Sequence, residues 1–274
     1  IADQDGWTVI DCGITNDETK THWESIFAKH LHGLPILRVL VTHMHPDHIG
    51  LAHFLCERWK APLWVSMSDF LMAQWLSSKE GGVAVGASSG SGGAADHYAR
   101  HGLVGTEDLE RIRSRSDYYS RLVPQVPRRY RRIMEGDDVQ IGDYRWKVSM
   151  GYGHAPEHAT LYCTKLNIFI SGDMVLPRIS TNVSVYDADP DADPLGLYLR
   201  SLEQWLSLPI DTFVLPSHGK PFKGLHTRIE QLHEHHRARL SETLEACQTP
   251  KHAFEIIPVL FRRKLDNHQL SFAM

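Results

Sequence analysis

The stretch THMHPDHIG, residues 42–50, places His43, His45, Asp47 and His48 within six positions. Imidazole and carboxylate are side chains that hold zinc and similar divalent ions. An apolar run, ILRVLVT (36–42), leads straight into the cluster. On an extended chain alternate residues share a side, so His43 and His45 point the same way and can grip one ion. Asp47 and His48 lie just beyond, where the chain turns into the next helix, and face another direction. One ion cannot easily use all four groups, but two neighbouring ions can. The spacing therefore points to a two-metal centre whose remaining ligands come from elsewhere in the chain.

Three other places offer such ligands at strand ends, where active-site loops of layered α/β folds tend to lie. GYGHAPEH places His154 after a strand, in a glycine-containing turn that lets the backbone come close. FISGD ends an apolar strand at Asp173, and VLPSHG ends another at His218. Taken singly, each histidine is an ordinary surface or capping residue, and Asp173 an ordinary helix cap. Beside the 43–48 cluster the three are read as ligands. His158, in the same turn as His154, and Asp11, ending the first strand, are read as groups that orient ligands from behind. His22, His30, His32 and His53 are read as structural or exposed. The chain shows no G-x-S-x-G and no phosphate-binding P-loop, so covalent-serine and nucleotide chemistry have no support.

The elements that must position these residues alternate. WTVIDCG (7–13), ILRVLVT (36–42) and PLWVS (62–66) read as strands, separated by helices over 17–31 and 49–59. This argues for a layered α/β domain. Residues 80–95 are rich in Gly, Ser and Ala and read as a flexible loop that could serve as a lid or channel wall. Residues 96–132 read as helical and basic. Strands resume over 137–153, 159–164, 166–173 and 211–219, with helices over 194–208 and about 224–247. A further helical appendage starts in the tail at 249–265. The opening IADQDGWTVIDCG reads as the second half of a hairpin, so an earlier strand is expected before Ile1.

The bulk composition limits the function classes. The 274 residues carry 42% hydrophobic and 23% charged side chains, ordinary for a globular protein. A net charge of −4 supplies no global field toward nucleic acid or anionic membrane. No apolar run approaches the ~20 residues that span a bilayer. The four cysteines are scattered with no C-x-x-C pair, so a reducing cytoplasm is the expected setting.

With the H-x-H-x-D-H run at 43–48, followed in order by His154, Asp173 and His218, the chain resembles the metallo-β-lactamase-fold hydrolases. The likeness runs from VIDCG to about residue 247. It implies a four-layer αββα sandwich with the site along one edge, and a small partial helical segment at the C-terminal end. It implies that His43, His45 and His154 hold one ion, that Asp47, His48 and His218 hold the other, and that Asp173 bridges them. Residues 1–247 would form the hydrolase domain and 248–274 the start of a winged-helix-like module. Two divalent ions ~3.5–4 Å apart can share one water and lower its pKa toward ~7, giving a hydroxide that attacks a carbonyl or phosphoryl centre. Asp47 and Asp173 would position the ions and the hydroxide and take up its proton. Zn²⁺ is the expected ion, with Mn²⁺ or Fe as alternatives.

The segments SGDMVLPRISTNVSVY, SLEQWLSLPIDTFVLPSHG and HEHHRARLSETL are similar to the glyoxalase-II-like and β-lactamase-like-2-type branch. That branch implies an ester or thioester of a small molecule as substrate. Lactone or β-lactam hydrolysis is an alternative. A nuclease acting on single-stranded RNA is another, because residues 111–132 hold eight arginines against one acid, Asp117, with tyrosines interleaved. Arg128 and Arg129 are the candidate substrate contacts there. The bland reading of the same stretch is a solvated helix whose arginines balance acids elsewhere.

Overall fold

The computed structural model describes residues 1–78, 92–113, 117–186 and 188–274. The chain opens with the hairpin β1 (Ala2–Asp3) and β2 (Gly6–Ile10), turning through Gln4 at φ 50°. α1 (Asp17–Lys29) follows, its first turn capped by the Asn16 side chain, which accepts from the Thr19 N–H. β3 (Ile36–Leu40), α2 (Pro46–Ile49), α3 (Ala52–Trp59), β4 (Leu63–Val65) and α4 (Met67–Ser77) complete the β-α-β-α-β pattern. α5 (Gly92–Arg100), α6 (Thr106–Arg113), α7 (Tyr118–Leu122) and β5 (Tyr130–Arg132) come next.

Two expectations are corrected here. The last residues of the expected 80–95 loop are the first turn of α5, while residues 80–91, and the lid reading placed on them, lie outside the described residues. The segment read as helical to residue 132 ends in β5, a short edge strand. Arg131 lies over the Trp64 ring at 4.1 Å and Tyr130 stacks on Phe70, so arginine stems and a tyrosine supply the contacts that a more apolar strand would have announced.

The second half adds β6 (Asp138–Ile141), β7 (Tyr144–Gly151), β8 (His158–Cys163), β9 (Ile168–Gly172), α8 (Pro194–Gln204) and β10 (Phe213–Pro216). The long α9 (Leu225–Ala246), α10 (Ala253–Leu260) and α11 (Asn267–Ala273) close the chain. One sheet runs β1-β2-β3-β4-β5, with β2 to β5 parallel. The other runs β10-β9-β8-β7-β6, antiparallel except where β10 lies parallel to β9.

Strand alternation sorts the core into layers. Val39 faces helices α1, α3 and α4, whereas its neighbour Leu40 faces the other sheet with Trp64, Trp146 and Leu161. Phe169 and Val214 face α8 and α9, whereas Ile170 faces inward. Both faces of each sheet are thus covered, giving an αββα sandwich. A separate small cluster, Ala95, Tyr98, Leu103 and Ile112 with Leu270, joins α5 and α6 to the C-terminal α11. Among the described residues no helix is long and apolar enough to cross a membrane.

The directions of the strands position the site. β2 and β3 are parallel, so Asp11 and the 43–48 run emerge at one end of the first sheet. β7, β9 and β10 share one direction in the second sheet, so His154, Asp173 and His218 all emerge at one end as well.

Candidate metal centre

The two sets of loop residues meet. His43 Nε2, His45 Nδ1 and His154 Nε2 form a triangle with sides of 2.9, 3.1 and 3.1 Å. Asp47, His48 and His218 form a neighbouring group, and His43, His48 and Asp173 connect the two. Asp173 Oδ2 is 3.4 Å from His154 Nε2 and 3.5 Å from His48 Nε2, and its Oδ1 is 3.5 Å from His218 Nε2. One carboxylate therefore touches both donor groups.

Local structure explains how these side chains are aimed. Pro46 starts α2 directly after His45, which suits proline's fixed φ and ends the extended run. Asp11 stands at φ 61°, a left-handed conformation that aspartate tolerates better than most residues. From there its carboxylate accepts the Thr42 N–H at 2.7 Å, the Thr42 hydroxyl at 2.8 Å and His48 Nδ1–H at 2.8 Å. With the Thr42 hydroxyl committed to Asp11, its oxygen accepts His43 Nδ1–H at 3.0 Å. His154 Nδ1–H donates to the Asn182 carbonyl at 2.7 Å. Each of these bonds puts the ring proton on Nδ1 and turns a bare Nε2 inward. His158 Nε2 accepts the Asp173 N–H at 3.0 Å, and its ring stacks on His43. Thr181 donates to the Asp173 carbonyl.

Three close ring nitrogens, two of them fixed as bare lone pairs, cannot all be satisfied by one another, because a proton on His45 Nδ1 could serve only one of the two lone pairs. His48 Nε2 and Asp173 Oδ1 are also buried without a hydrogen-bond partner. Such an arrangement is costly in a protein interior unless a cation gathers the lone pairs. The donor chemistry, imidazole with carboxylate, fits a divalent ion in each group. Burial drives the His43 ring well below the usual imidazole range and His45 to about 3, so both are neutral donors at pH 7. Burial acts the same way on His48, but Asp11 and its other carboxylate neighbours outweigh it and hold that ring up. The nearby Asp173 and Asp47 carboxylates lift His218 to about 10. Asp47 and Asp173 are raised by burial, yet their histidine neighbours hold both well below the carboxylate range.

The two donor groups differ in access. In the His43, His45 and His154 group two rings are buried and His45 is half-buried, whereas the Asp47 and His218 side chains are 44% and 45% exposed. A cleft of about 600 Å³ opens beside Asp47, His48 and His218, and its walls include Ile10, Ile170 and Leu215.

All seven residues expected as ligands are thus brought together, with Asp11 and His158 directly behind them. Arg128 and Arg129 are not part of the assembly. They precede β5, which starts level with Leu63 and runs parallel to β4, so they lie at the end of the sheet opposite the histidine run. Arg111 and Arg113 form ion pairs with Glu107 and Asp96, acids outside that stretch, and Arg121 pairs with Asp117 inside it. Sequence reasoning missed Asn182, which acts through its carbonyl, and Asp69, which reads as an ordinary first-turn acid of α4.

Fold and donor set define a class, and the chain belongs to it: the family model for the metallo-beta-lactamase superfamily matches residues 1–218. The model for the metallo-beta-lactamase-like C-terminal domain matches residues 240–274. A beta-lactamase domain protein from Burkholderia ambifaria has a crystal structure that superposes with a TM-score of 0.90 at 52% identity, covering 98% of this chain and 75% of that one. The metallo-beta-lactamase family protein TTHA1429 from Thermus thermophilus superposes at 0.75 with 25% identity, covering 96% and 80%. TTHA1623, solved in a di-iron-bound form, superposes at 0.52 with 26% identity, covering 80% and 86%. Among curated proteins, the probable metallo-hydrolase YqjP of Bacillus subtilis (strain 168) is 31% identical over 134 residues. That match spans 47% of this chain and 41% of YqjP.

Proposed function

We propose that this chain is a binuclear metal-dependent hydrolase acting on an ester or thioester of a small molecule. The observation that carries the reading is the Asp173 carboxylate in contact with two separate donor groups, one of three imidazoles and one of Asp47, His48 and His218. Two divalent cations held there would acidify a shared water and polarise the bond to be cleaved.

The chain's own residues would then divide the work. His43, His45 and His154 would hold the enclosed cation with neutral rings. His48 and His218 would hold the accessible one, with Asp173 reaching both. Asp47 would complete that second set, and its Oδ2, 3.1 Å from His218 Nε2 and on the exposed side, would take up a proton from the attacking water. Asp11, Thr42, Asn182 and His158 would keep the rings and Asp173 from turning as charge develops, which is where an enzyme's preset dipoles act. The substrate would approach from the Asp47 and His218 side, the more open of the two donor groups.

Zinc is the ion we place first. The di-iron form of TTHA1623 supports iron as a second choice at such a site. The glyoxalase-II-like branch remains the preferred likeness, on the segments SGDMVLPRISTNVSVY, SLEQWLSLPIDTFVLPSHG and HEHHRARLSETL. RNA cleavage loses the support of Arg128 and Arg129, which stand away from the donors. The four cysteines are all free, in keeping with a reducing compartment such as the cytoplasm.

Elemental analysis should find about two equivalents of metal per chain. A panel of acyl-CoA and glutathione thioesters, lactones, a chromogenic β-lactam and single-stranded RNA, assayed with and without chelator, tests the substrate class. We expect chelator-sensitive thioester or ester cleavage, abolished in Asp173→Ala. Full turnover in that variant defeats the role given to Asp173, and cleavage of RNA alone defeats the small-molecule reading.

A further inference from the structure

Met44 sits between His43 and His45, and side chains from two other elements hold its backbone. The Met44 N–H donates to Asp69 Oδ1 at 2.8 Å. The Met44 carbonyl accepts the Tyr119 hydroxyl at 2.5 Å. Met44, Asp69 and Tyr119 are 1%, 0% and 2% exposed. The second oxygen of Asp69 accepts the Glu157 N–H at 2.8 Å and the Ser66 hydroxyl at 2.9 Å. Glu157 stands between His154 and His158, and its own carboxylate accepts the Ser68 N–H at 3.2 Å. One carboxylate on α4 therefore joins the turn that carries His43 and His45, from the first sheet, to the turn that carries His154, from the second.

A fully buried carboxylate is a costly way to brace a fold. Among the described residues Asp69 makes no ion pair. Burial lifts its pKa to about 6, against the pull of its backbone N–H donors. Its neighbours on the same helix, Phe70 and Ala73, show that apolar side chains pack there. What the carboxylate supplies, and an apolar residue cannot, is an acceptor for two backbone N–H groups belonging to two metal-facing turns.

We propose that Asp69 and Tyr119 are positioning residues for the metal centre: they clamp the Met44 peptide from both sides, and Asp69 ties it to the Glu157 peptide, so that the His43, His45 and His154 nitrogens are set in their triangle by the chain itself. The inference rests on the reading of those three histidines as ligands. Asp69→Asn keeps the size of the side chain but exchanges one acceptor oxygen for an amide donor, so one of the two backbone N–H groups loses its partner. Tyr119→Phe removes only the hydroxyl.

Cobalt(II) serves as the probe, since its visible absorption bands report donor geometry without any substrate. The full chain, stripped and reloaded with cobalt, is titrated against a competing chelator, and its spectrum and urea unfolding are recorded. We expect Asp69→Asn to weaken the tighter cobalt site by about 10–100-fold, the range found when groups behind a ligand are removed, and to shift its bands. Tyr119→Phe should move both readings the same way by less. The double variant should weaken binding by less than the product of the two single effects, because both act on one peptide. Variants that unfold more readily but bind cobalt with unchanged affinity and spectrum overturn the proposal and leave Asp69 as a strut. If Asp69→Asn does not fold, an unchanged spectrum and affinity in Tyr119→Phe overturns it alone. A wild-type chain that binds no cobalt defeats the metal reading itself, a result distinct from wild-type binding with indifferent variants.

Discussion

Gly172 stands at φ 53°, and a Cβ there would enter the His158 ring, with Nε2 at 2.5 Å. The residue it precedes is Asp173, whose N–H is bound by that same ring. Glycine is needed for two reasons at once: the left-handed backbone and the space for the imidazole. Gly172→Ala is expected to destabilise the fold by about 2 kcal/mol or more, from the positive φ and the overlap together. Urea unfolding checks the cost, and a parallel drop in metal affinity checks that Asp173 has moved. At this scale the candidate site was partly readable from the amino acids alone. His43, His45, Asp47 and His48 announce themselves because metal donors are few in kind and these are crowded. Asp69, Tyr119 and Asn182 do not, because they act on or through peptide groups that every residue possesses. Ser66 and Asp69 do form an S-x-x-D pattern, but it reads as a helix start. The structure shows that start, with Ser66 capping α4, and shows the same aspartate turned to a second use.

α1 is an element held largely by its ends and one face. Its Asn16 cap accepts the Thr19 N–H, Asp17 and Glu18 lie in its first turn, and Trp23, Ile26 and Phe27 pack on the sheet. Asn16→Ala should cost about 1 kcal/mol, read as a lower urea midpoint with unchanged slope. The pattern of residues 1–66 made these elements legible, since helical spacing and short apolar runs alternate cleanly there. β5 was not legible. It has three residues, two of them arginine, and its place at the sheet edge comes from pairing with β4, with no periodicity of its own. Charged residues on an edge strand are an ordinary guard against pairing with another chain, and they disguise the strand as a basic helix. α4 carries a related ambiguity. Phe70, Ala73 and Leu76 are buried while Leu71 and Trp75 on its outer side are exposed, so its sequence alone does not tell the two faces apart.

At the scale of the molecule, the donors divide between the sheets: His43, His45, Asp47 and His48 follow β3 of one, and His154, Asp173 and His218 follow strands of the other. That division into two stacked sheets came from the family likeness, because local patterns show strands but not which strands share a sheet. Cations bound between the two sets would hold the sheets together. A ligand at a hundred times its dissociation constant stabilises the folded state by about 2.7 kcal/mol. Metal loading should therefore raise Tm by roughly 5 °C or more in a chain of this size, and a chelator should reverse the rise in a calorimetric scan.

The turn through Gly136 connects the last strand of the first sheet to the first strand of the second. A polypeptide severed there would leave each fragment with an incomplete set of ligands and one bare face of the shared interior. Neither piece would hold a divalent cation tightly by itself, so recovered metal uptake on mixing would report that the fragments had found each other.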